Sequence, residues 1–262
     1  MEVVILIISR QKVILDILAD NQLATVDELS AQLSVSEATV RRDLMSLESK
    51  GLINRTWGGA TPVSSVAFEP FVHERSKINQ SEKQAIARTA VEMIQEGEVI
   101  ALDVGSTCME LAKLLKGFRR ITVFTNSLLT AQILGSASFT VHVVGGRMRL
   151  GEFSLVGPVA RENIRRFNYD KFFMGVSGFD LNHGPTDYNV DDVEIKQCFL
   201  ERANQRIALV DHSKFGRTSL AAICGVRSLT DVISDSHIEK EHSNGLEAQG
   251  IRVTIGAASS SY

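Results

Sequence analysis

Apolar residues recur at helical spacing from Arg10 to about Ala19, where Val13, Ile14, Ile17 and Leu18 share one face. Thr25-Val-Asp-Glu28 reads as a capping box that opens a second helix running to about Leu33, with Val26, Leu29 and Leu33 inward. Ser34-Val35 makes a turn, and Ser36 then caps a third helix whose first residue, Glu37, suits a positive helix end. On that helix Val40, Leu44 and Leu47 form the core stripe. The opposite face therefore carries Ala38, Arg42, Met45 and Ser49, flanked by Thr39 and Arg41, with Ser46 at the margin. Gly51 stops the helix, Leu52–Trp57 has the residues of a strand, and Gly58-Gly59 makes a tight turn, which gives a small basic wing.

Residues 61–80 carry Pro62, Ser64, Ser65 and Pro70 without periodicity and read as a linker, partly helical near His73–Lys77. Ser81-Glu-Lys-Gln84 is a second capping-box pattern, opening a helix that ends before Gly97. Apolar runs and helical stretches then alternate. Strands are predicted at Val99–Val104, Ile121–Thr125, Phe139–Val144, Lys171–Val176, Ile207–Val210, Asp231–Ser234 and Arg252–Ile255. Helices are predicted at Cys108–Leu115, Leu128–Leu134, Val159–Arg166, Val193–Arg202 and Glu239–Gln249. This order implies an α/β chain: a small N-terminal winged helix-turn-helix domain (residues 1–60), the linker (61–80), and a larger α/β domain (81–256) with a mainly parallel sheet covered on both faces. Residues 257–262 read as a disordered tail, and there are no internal repeats.

The 262 residues, 44% of them hydrophobic, provide for a real core, and a net charge of −3 excludes a globally basic nucleic-acid binder. The stretch Arg10–Ala60 is no more basic. Its six bases (Arg10, Lys12, Arg41, Arg42, Lys50, Arg55) face seven acids (Asp16, Asp20, Asp27, Glu28, Glu37, Asp43, Glu48). Any contact with DNA must therefore rest on the placement of charge, and four of those bases lie between Arg41 and Arg55. Three widely separated cysteines give neither metal spacing nor a disulfide framework, which fits a reducing cytoplasm. Val3-Val-Ile-Leu-Ile-Ile8 is too short for a membrane span and poor as a signal peptide. It reads as a packed strand, an interface segment or an atypical start.

The candidate chemistry is of two kinds. Ser36, Thr39, Arg41 and Arg42 have the types and the face needed to read or grip double-stranded operator DNA, with Lys50 and Arg55 placed for phosphates. The plain alternative is a helical bundle with a solvated Arg pair. One such module binds weakly, so a homo-oligomer, dimer or tetramer, on paired half-sites is expected. The second kind begins with Asp103-Val-Gly-Ser-Thr107, which follows a strand and opens a helix. Gly105 permits a close turn, while Ser106, Thr107 and the free N–H groups make an anion cradle. It is neither a Walker A motif nor a dinucleotide fingerprint, and a plain strand-to-helix turn would look similar. Thr125-Asn126-Ser127 and Gly145-Gly146-Arg147-Met-Arg149 also follow apolar strands, and an Arg beside paired glycines can pin a phosphate. Lys214 follows another strand. Asp192 and Lys196 are one helical turn apart, which also fits a surface pair. The effector-binding candidates are Asp103, Gly105, Ser106, Thr107, Thr125, Asn126, Gly146, Arg147, Lys196 and Lys214. His183 and His212 lack a partner at metal spacing and read as solvated loop histidines, and Trp57 reads as packing. No cofactor, metal or membrane is implied.

Taken together, these residues resemble the DeoR family of bacterial transcriptional regulators over nearly the whole chain. The matching pieces are Ser34–Leu44, Trp57-Gly-Gly-Ala60, Asp103–Thr107, Thr125-Asn-Ser127, Gly145-Gly-Arg147, Asp170-Lys171, Asp211 and Ser213-Lys-Phe-Gly216. The resemblance implies a winged helix-turn-helix fused to a domain similar to ribose-5-phosphate isomerase. It further implies a phosphorylated sugar effector held by Asp103–Thr107, and an oligomeric, usually repressing, regulator of carbohydrate catabolism. Two positions depart from the pattern: Ser177 stands where the family often keeps Asp, and Asp192 where it tends to have Glu. Without a paired acid and base in Gly175–Asp180, binding without turnover is the expectation. The rival is a sugar-phosphate isomerase using Glu194, Asp180 or Asp192 as its base; a third reading is a DNA-binding scaffold whose large domain only oligomerises.

Overall fold

The computed structural model describes residues 2–21, 24–49, 52–56, 58–62 and 69–257, and the chain divides into two compact units, Met1–Phe68 and Glu69–Tyr262. Lys50, Gly51, Trp57 and the tail from residue 258 lie outside the described residues.

The first unit holds α1 (Glu2–Asn21), β1 (Ala24–Thr25), α2 (Val26–Leu33), α3 (Glu37–Ser49), β2 (Ile53–Thr56) and β3 (Gly59–Pro62). Ile14 and Leu18 of α1, Val26 and Leu29 of α2, and Val40, Leu44 and Leu47 of α3 close one core with Ile53 and Ala60. The capping box forms: Glu28 N donates to Thr25 Oγ1 at 3.2 Å, and Thr25 N donates to Glu28 Oε2 at 2.8 Å. Ser34 turns the chain in the left-handed region (φ 52°), and Ser36 caps α3 by accepting from Thr39 N at 3.3 Å. The wing is a three-stranded antiparallel sheet in the order β1-β3-β2. Gly59 is required there, because a Cβ would lie 2.3 Å from Ala24 O. Residues Val3–Ile8, which sequence allowed as a strand, have helical backbone continuous with α1. No breaker separates them from the amphipathic run that follows, and a six-residue apolar stretch alone does not distinguish helix from strand.

The second unit is built on a seven-stranded sheet. Its strands are β4 (Val99–Leu102), β5 (Thr122–Thr125), β6 (Thr140–Val143), β9 (Tyr169–Gly175), β12 (Ala203–Val210), β14 (Asp231–Asp235) and β15 (Arg252–Gly256). The order is β15-β14-β12-β9-β4-β5-β6 and every pairing is parallel. One face, carrying Ile100, Leu102, Phe173, Ile207, Leu209 and Ile233, is covered by α5 (Gln80–Glu92), α6 (Ser106–Leu114) and α7 (Leu128–Leu134). The other face, carrying Ala101, Phe172, Ala208 and Val232, is covered by α8 (Pro158–Arg165), α9 (Val190–Arg202) and α10 (Lys240–Ala248). Burial on both faces explains why the five inner strands read as continuous apolar runs; the edge strands β6 and β15 are mostly exposed or half-buried. Shorter pieces complete the unit: the ribbon β7 (Arg147–Arg149) with β8 (Ser154–Val156), a sheet of β10 (Gly178–Asp180), β11 (Gly184–Asp187) and β13 (Ala221–Ala222), and the single turn α4 (Val72–Arg75).

Two expectations are corrected. The segment read as a linker is structured from Glu69 onward within the second unit, and Arg75 there is half-buried and held in ion pairs. Ser81 does not cap α5. The helix starts two residues earlier, at Gln80 behind Asn79 (φ 48°), which gives no side-chain cap, and Ser81 Oγ donates instead to Glu82 Oε2 at 2.8 Å.

Candidate effector cavity and DNA-reading helix

Chain order runs outward from β4 to β5 and β6 on one side, then to β9, β12, β14 and β15 on the other. The carboxyl ends of β4 and β9 therefore flank a topological switch point, where open α/β sheets bind ligands. A cleft opens there, with about 460 Å³ of empty space including its open mouth. Val104, Gly105, Ser106 and Thr107 line it from β4, and Gly175, Val176 and Ser177 from β9. Gly175 allows the approach, since a Cβ would lie 2.9 Å from Val104 O. Gly105 sits at φ 103° as the N-cap of α6 and provides no side-chain cap, so the first N–H groups of the helix are left for another acceptor.

Charged side chains make up the rest of the wall. Lys196 is buried against Asp103, donates to Gly175 O at 3.0 Å, and lies 3.1 Å from Asp187. Asp103 also accepts from Gly175 N at 3.0 Å, and burial lifts its carboxyl to about 6 against the pull of Lys196. Arg149 bridges Asp192 and Glu69, Arg75 bridges Glu69 and Glu152, and Ser177 Oγ donates to Asp187 at 2.9 Å. Lys83 and Lys214 differ from these cations. Lys83 Nζ donates to the carbonyls of Arg75 and Ile78, and neither lysine has an ion-pair partner among the described residues. Burial, reinforced by Lys214 and Arg75, pushes Lys83 down to about 8 against the pull of Asp211; burial with Arg75 and Arg217 lowers Lys214, again against Asp211. The cavity thus presents two ammonium groups and an uncapped helix end around one nearby carboxylate, Asp211, that makes no direct ion pair with either lysine among the described residues.

In the first unit, α3 exposes Ala38, Arg41, Arg42, Met45 and Ser49, with Ser36 exposed and Thr39 half-buried at its start. Arg41 pairs with Glu37 at 3.0 Å and Arg55 with Glu48 at 3.3 Å, whereas Arg42 has no ion pair among the described residues. Ser36 and Thr39 share a hydroxyl–hydroxyl hydrogen bond of 2.9 Å. Lys50 lies outside the described residues.

Comparison with known proteins fits both units. The family described as DeoR-like helix-turn-helix domain matches residues 10–66, and the DeoR C terminal sensor domain matches residues 78–236. The chain belongs to the DeoR family. It is 34% identical to the HTH-type transcriptional regulator GlpR of Haloferax volcanii over 249 residues, covering 95% of this chain and 98% of the relative. It is 36% identical to the HTH-type transcriptional regulator GolR of Listeria innocua over 247 residues, covering 94% and 97%. Among solved structures, ribose 5-phosphate isomerase A of Methanocaldococcus jannaschii is similar with a TM-score of 0.40 at 16% identity, over 52% of this chain and 55% of that one. As a DeoR-family member the protein is a DNA-binding transcriptional regulator and not an enzyme.

Within this DeoR chain, Gly105, Ser106, Thr107, Lys196 and Lys214 line the cavity, with Asp103 directly behind Lys196. Thr125, Asn126, Gly146 and Arg147 do not line it. Thr125 Oγ1 accepts from Ser127 N at 3.0 Å inside a buried turn, and Asn126 is fully buried with no partner for its side-chain amide among the described residues. Gly146 is a packing glycine, because a Cβ would lie 2.6 Å from Val156 O. Arg147 is exposed and pairs with Asp191 at 2.7 Å. Asp192 and Lys196 are not a surface pair, since both are buried. Nor does the serine at 177 empty the site of acids: Asp187 and Glu152 come from outside that loop, each held by a cation. Of the bases considered for a rival isomerase, Glu194 pairs with Arg161 at the surface and Asp180 with His183. His212 is not merely solvated, since its Nδ1 faces Asp235 at 3.0 Å.

Sequence reasoning missed Glu69, Arg75, Lys83 and Glu152. A signal existed for Lys83: it shares the inward stripe of α5 with Ala87 and Ala90, where a lysine needs a reason.

Proposed function

We propose that this regulator represses an operon for carbohydrate catabolism and that a phosphorylated sugar, bound in the cavity at the β4/β9 switch point, relieves the repression. The observation that carries the reading is the meeting of the uncapped α6 start, with Ser106 and Thr107, and the unpaired lysines Lys83 and Lys214. A phosphate monoester supplies the charge and acceptor oxygens that this corner lacks. The carboxylates Asp187, Asp192 and Glu152 on the other wall suit sugar hydroxyls as acceptors. On the DNA side Arg42, Thr39 and Ser36 of α3 read bases in the major groove, and Arg41, Arg55 and Lys50 contact phosphates. A homo-oligomer in the cytoplasm, dimer or tetramer, places two such helices on paired half-sites. Effector binding shifts the balance between arrangements that do and do not match the operator.

A thermal-shift panel of phosphorylated sugars and their unphosphorylated parents tests this. One phosphorylated sugar raises the melting temperature by several degrees, its parent does not, and the same compound releases operator DNA in a gel shift. Equal responses to ester and parent, or none across the panel, would refute it.

A further inference from the structure

Beside the cavity wall, at the carboxyl ends of β12 and β14, His212, Asp235 and His237 bring one ligand atom each to within 4.8 Å of one another. Asp235 Oδ1 lies 3.0 Å from His212 Nδ1 and 3.3 Å from His237 Nδ1. Glu82 Oε1, from the first turn of α5, is 3.8 Å from His237 Nδ1. We propose that His212, Asp235 and His237 form a binding site for a divalent transition metal of the zinc class.

The spacing fits. Tetrahedral zinc with bonds of about 2.0–2.1 Å holds neighbouring ligand atoms roughly 3.3–3.4 Å apart. Asp235 Oδ1 lies 3.0 and 3.3 Å from the two imidazole nitrogens, close to that edge, and all three ligand atoms lie within 4.8 Å of one another, so rotamer adjustment brings the set together. The carboxylate at the centre is held independently of the imidazoles: Asp235 is buried and accepts from the backbone N–H of His212 at 2.7 Å and of His237 at 2.9 Å. The two rings meet edge to face, 5.2 Å between centroids, an arrangement that leaves both Nδ1 atoms directed at the same oxygen. Two imidazoles with a carboxylate suit zinc, cobalt or nickel, whereas magnesium and calcium prefer all-oxygen shells. Three protein ligands leave the fourth tetrahedral position to water, and Glu82 stands beside His237 with its outer oxygen accepting from Ser81 Oγ at 2.8 Å.

Placement gives it a consequence. Glu82 immediately precedes Lys83, and His212 lies between Asp211 and Lys214, all three neighbours being cavity residues. A bound metal ties the loop after β12, which carries Lys214, to the carboxyl end of β14, beside the start of α5 that carries Lys83. The site itself does not depend on the effector reading.

The test uses tag-free, full-length protein stripped by a chelator and titrated with Co²⁺, then Zn²⁺. The expected result is one equivalent of Co²⁺ with the intense visible absorption of tetrahedral coordination, displaced by Zn²⁺, and a higher melting temperature in Zn²⁺. His237→Ala, at an exposed position, weakens metal binding roughly tenfold or more while the metal-free variant melts as the metal-free parent does. His212→Ala with His237→Ala abolishes binding. Absence of stoichiometric binding, weak octahedral absorption only, or affinity unchanged in His237→Ala would overturn the proposal.

Discussion

Lys83 and Lys214 face one cavity, and among the described residues neither ammonium has a carboxylate within 4.0 Å. Glu69, Glu152, Asp192 and Asp187 are taken by Arg75, Arg149 and Lys196, while Asp211 accepts from Asn79 and Ser213 and attracts both lysines without a direct ion pair. A charge-assisted hydrogen bond to a ligand contributes about 1.5–3 kcal/mol. Lys214→Met is therefore expected to weaken binding of the stabilising sugar phosphate about tenfold to a hundredfold. Operator affinity without effector stays unchanged. Calorimetry with that ligand, alongside a gel shift of the free variant, measures both. Lys83→Met has the same sign, with an added loss of stability from the carbonyls of Arg75 and Ile78 that lose their donor.

On α3 the two neighbouring arginines are not equivalent. Arg41 is already engaged by Glu37, while Arg42 is exposed without an ion pair among the described residues. A bidentate Arg–guanine contact discriminates by about 1–3 kcal/mol. Arg42→Ala is expected to lose that discrimination and leave the melting temperature unchanged. Arg41→Ala weakens specific and nonspecific DNA alike, with a smaller salt slope. Titrating operator and scrambled duplexes at two salt concentrations separates the outcomes, and an unaltered operator preference in Arg42→Ala would place the reading helix elsewhere.

How much of this was legible follows the range of the interactions. All seven strands of the parallel sheet were visible in the sequence, the five inner ones because burial on both faces writes itself into consecutive residues, whereas the edge strands β6 and β15 are mostly exposed or half-buried. The capping box at Thr25 and the turn at Gly105 were visible because they are local chemistry. Arg147 misled for a reason of geometry. It shares a strand with Arg149, and one two-residue step of about 6.8 Å separates a surface pair from a buried one. Arg75 with Glu152, and His212 with Asp235 and His237, are contacts between distant segments, which no spacing rule reaches. Lys50 was chosen for phosphate contact, and its position lies outside the described residues.

Arg10 and Asp43 join α1 to α3 beneath the reading helix, an ion pair that the helical periodicity did not reveal. Asp43 is 4% exposed and sits on the core side of α3 beside Leu44. Asp43→Ala leaves the Arg10 guanidinium without its partner, which costs about 1–3 kcal/mol. The N-terminal unit is expected to lose stability and operator affinity together, while the response of the second unit to its ligand persists. Chemical denaturation followed by helical signal, with ligand binding measured in parallel, tests whether the two effects part as stated.

Glu152 gives the second unit a pH dependence of definite sign. Burial lifts its carboxyl from the ordinary 4.5 to about 7, with Arg75 opposing and Glu69 assisting. Between those values the folded chain keeps a proton that the unfolded chain has released. Stability from this group is therefore complete below about 4.5 and is lost as pH rises through about 7. Asp103, raised from 3.8 to about 6, runs in the same direction, and Lys83, lowered to about 8, acts only above this window. The melting temperature of the parent is expected to fall between pH ~5 and ~7.5. Glu152→Gln keeps the shape and removes the titration, so its slope over that interval is shallower, with the remainder due to Asp103 and to Asp192, whose carboxyl burial also raises. Its Arg75 contact persists through the amide oxygen, which makes a lower overall stability at pH ~5 small beside the change in slope. Parallel slopes in parent and variant would mean that Glu152 is ionised throughout and that Arg75 outweighs burial.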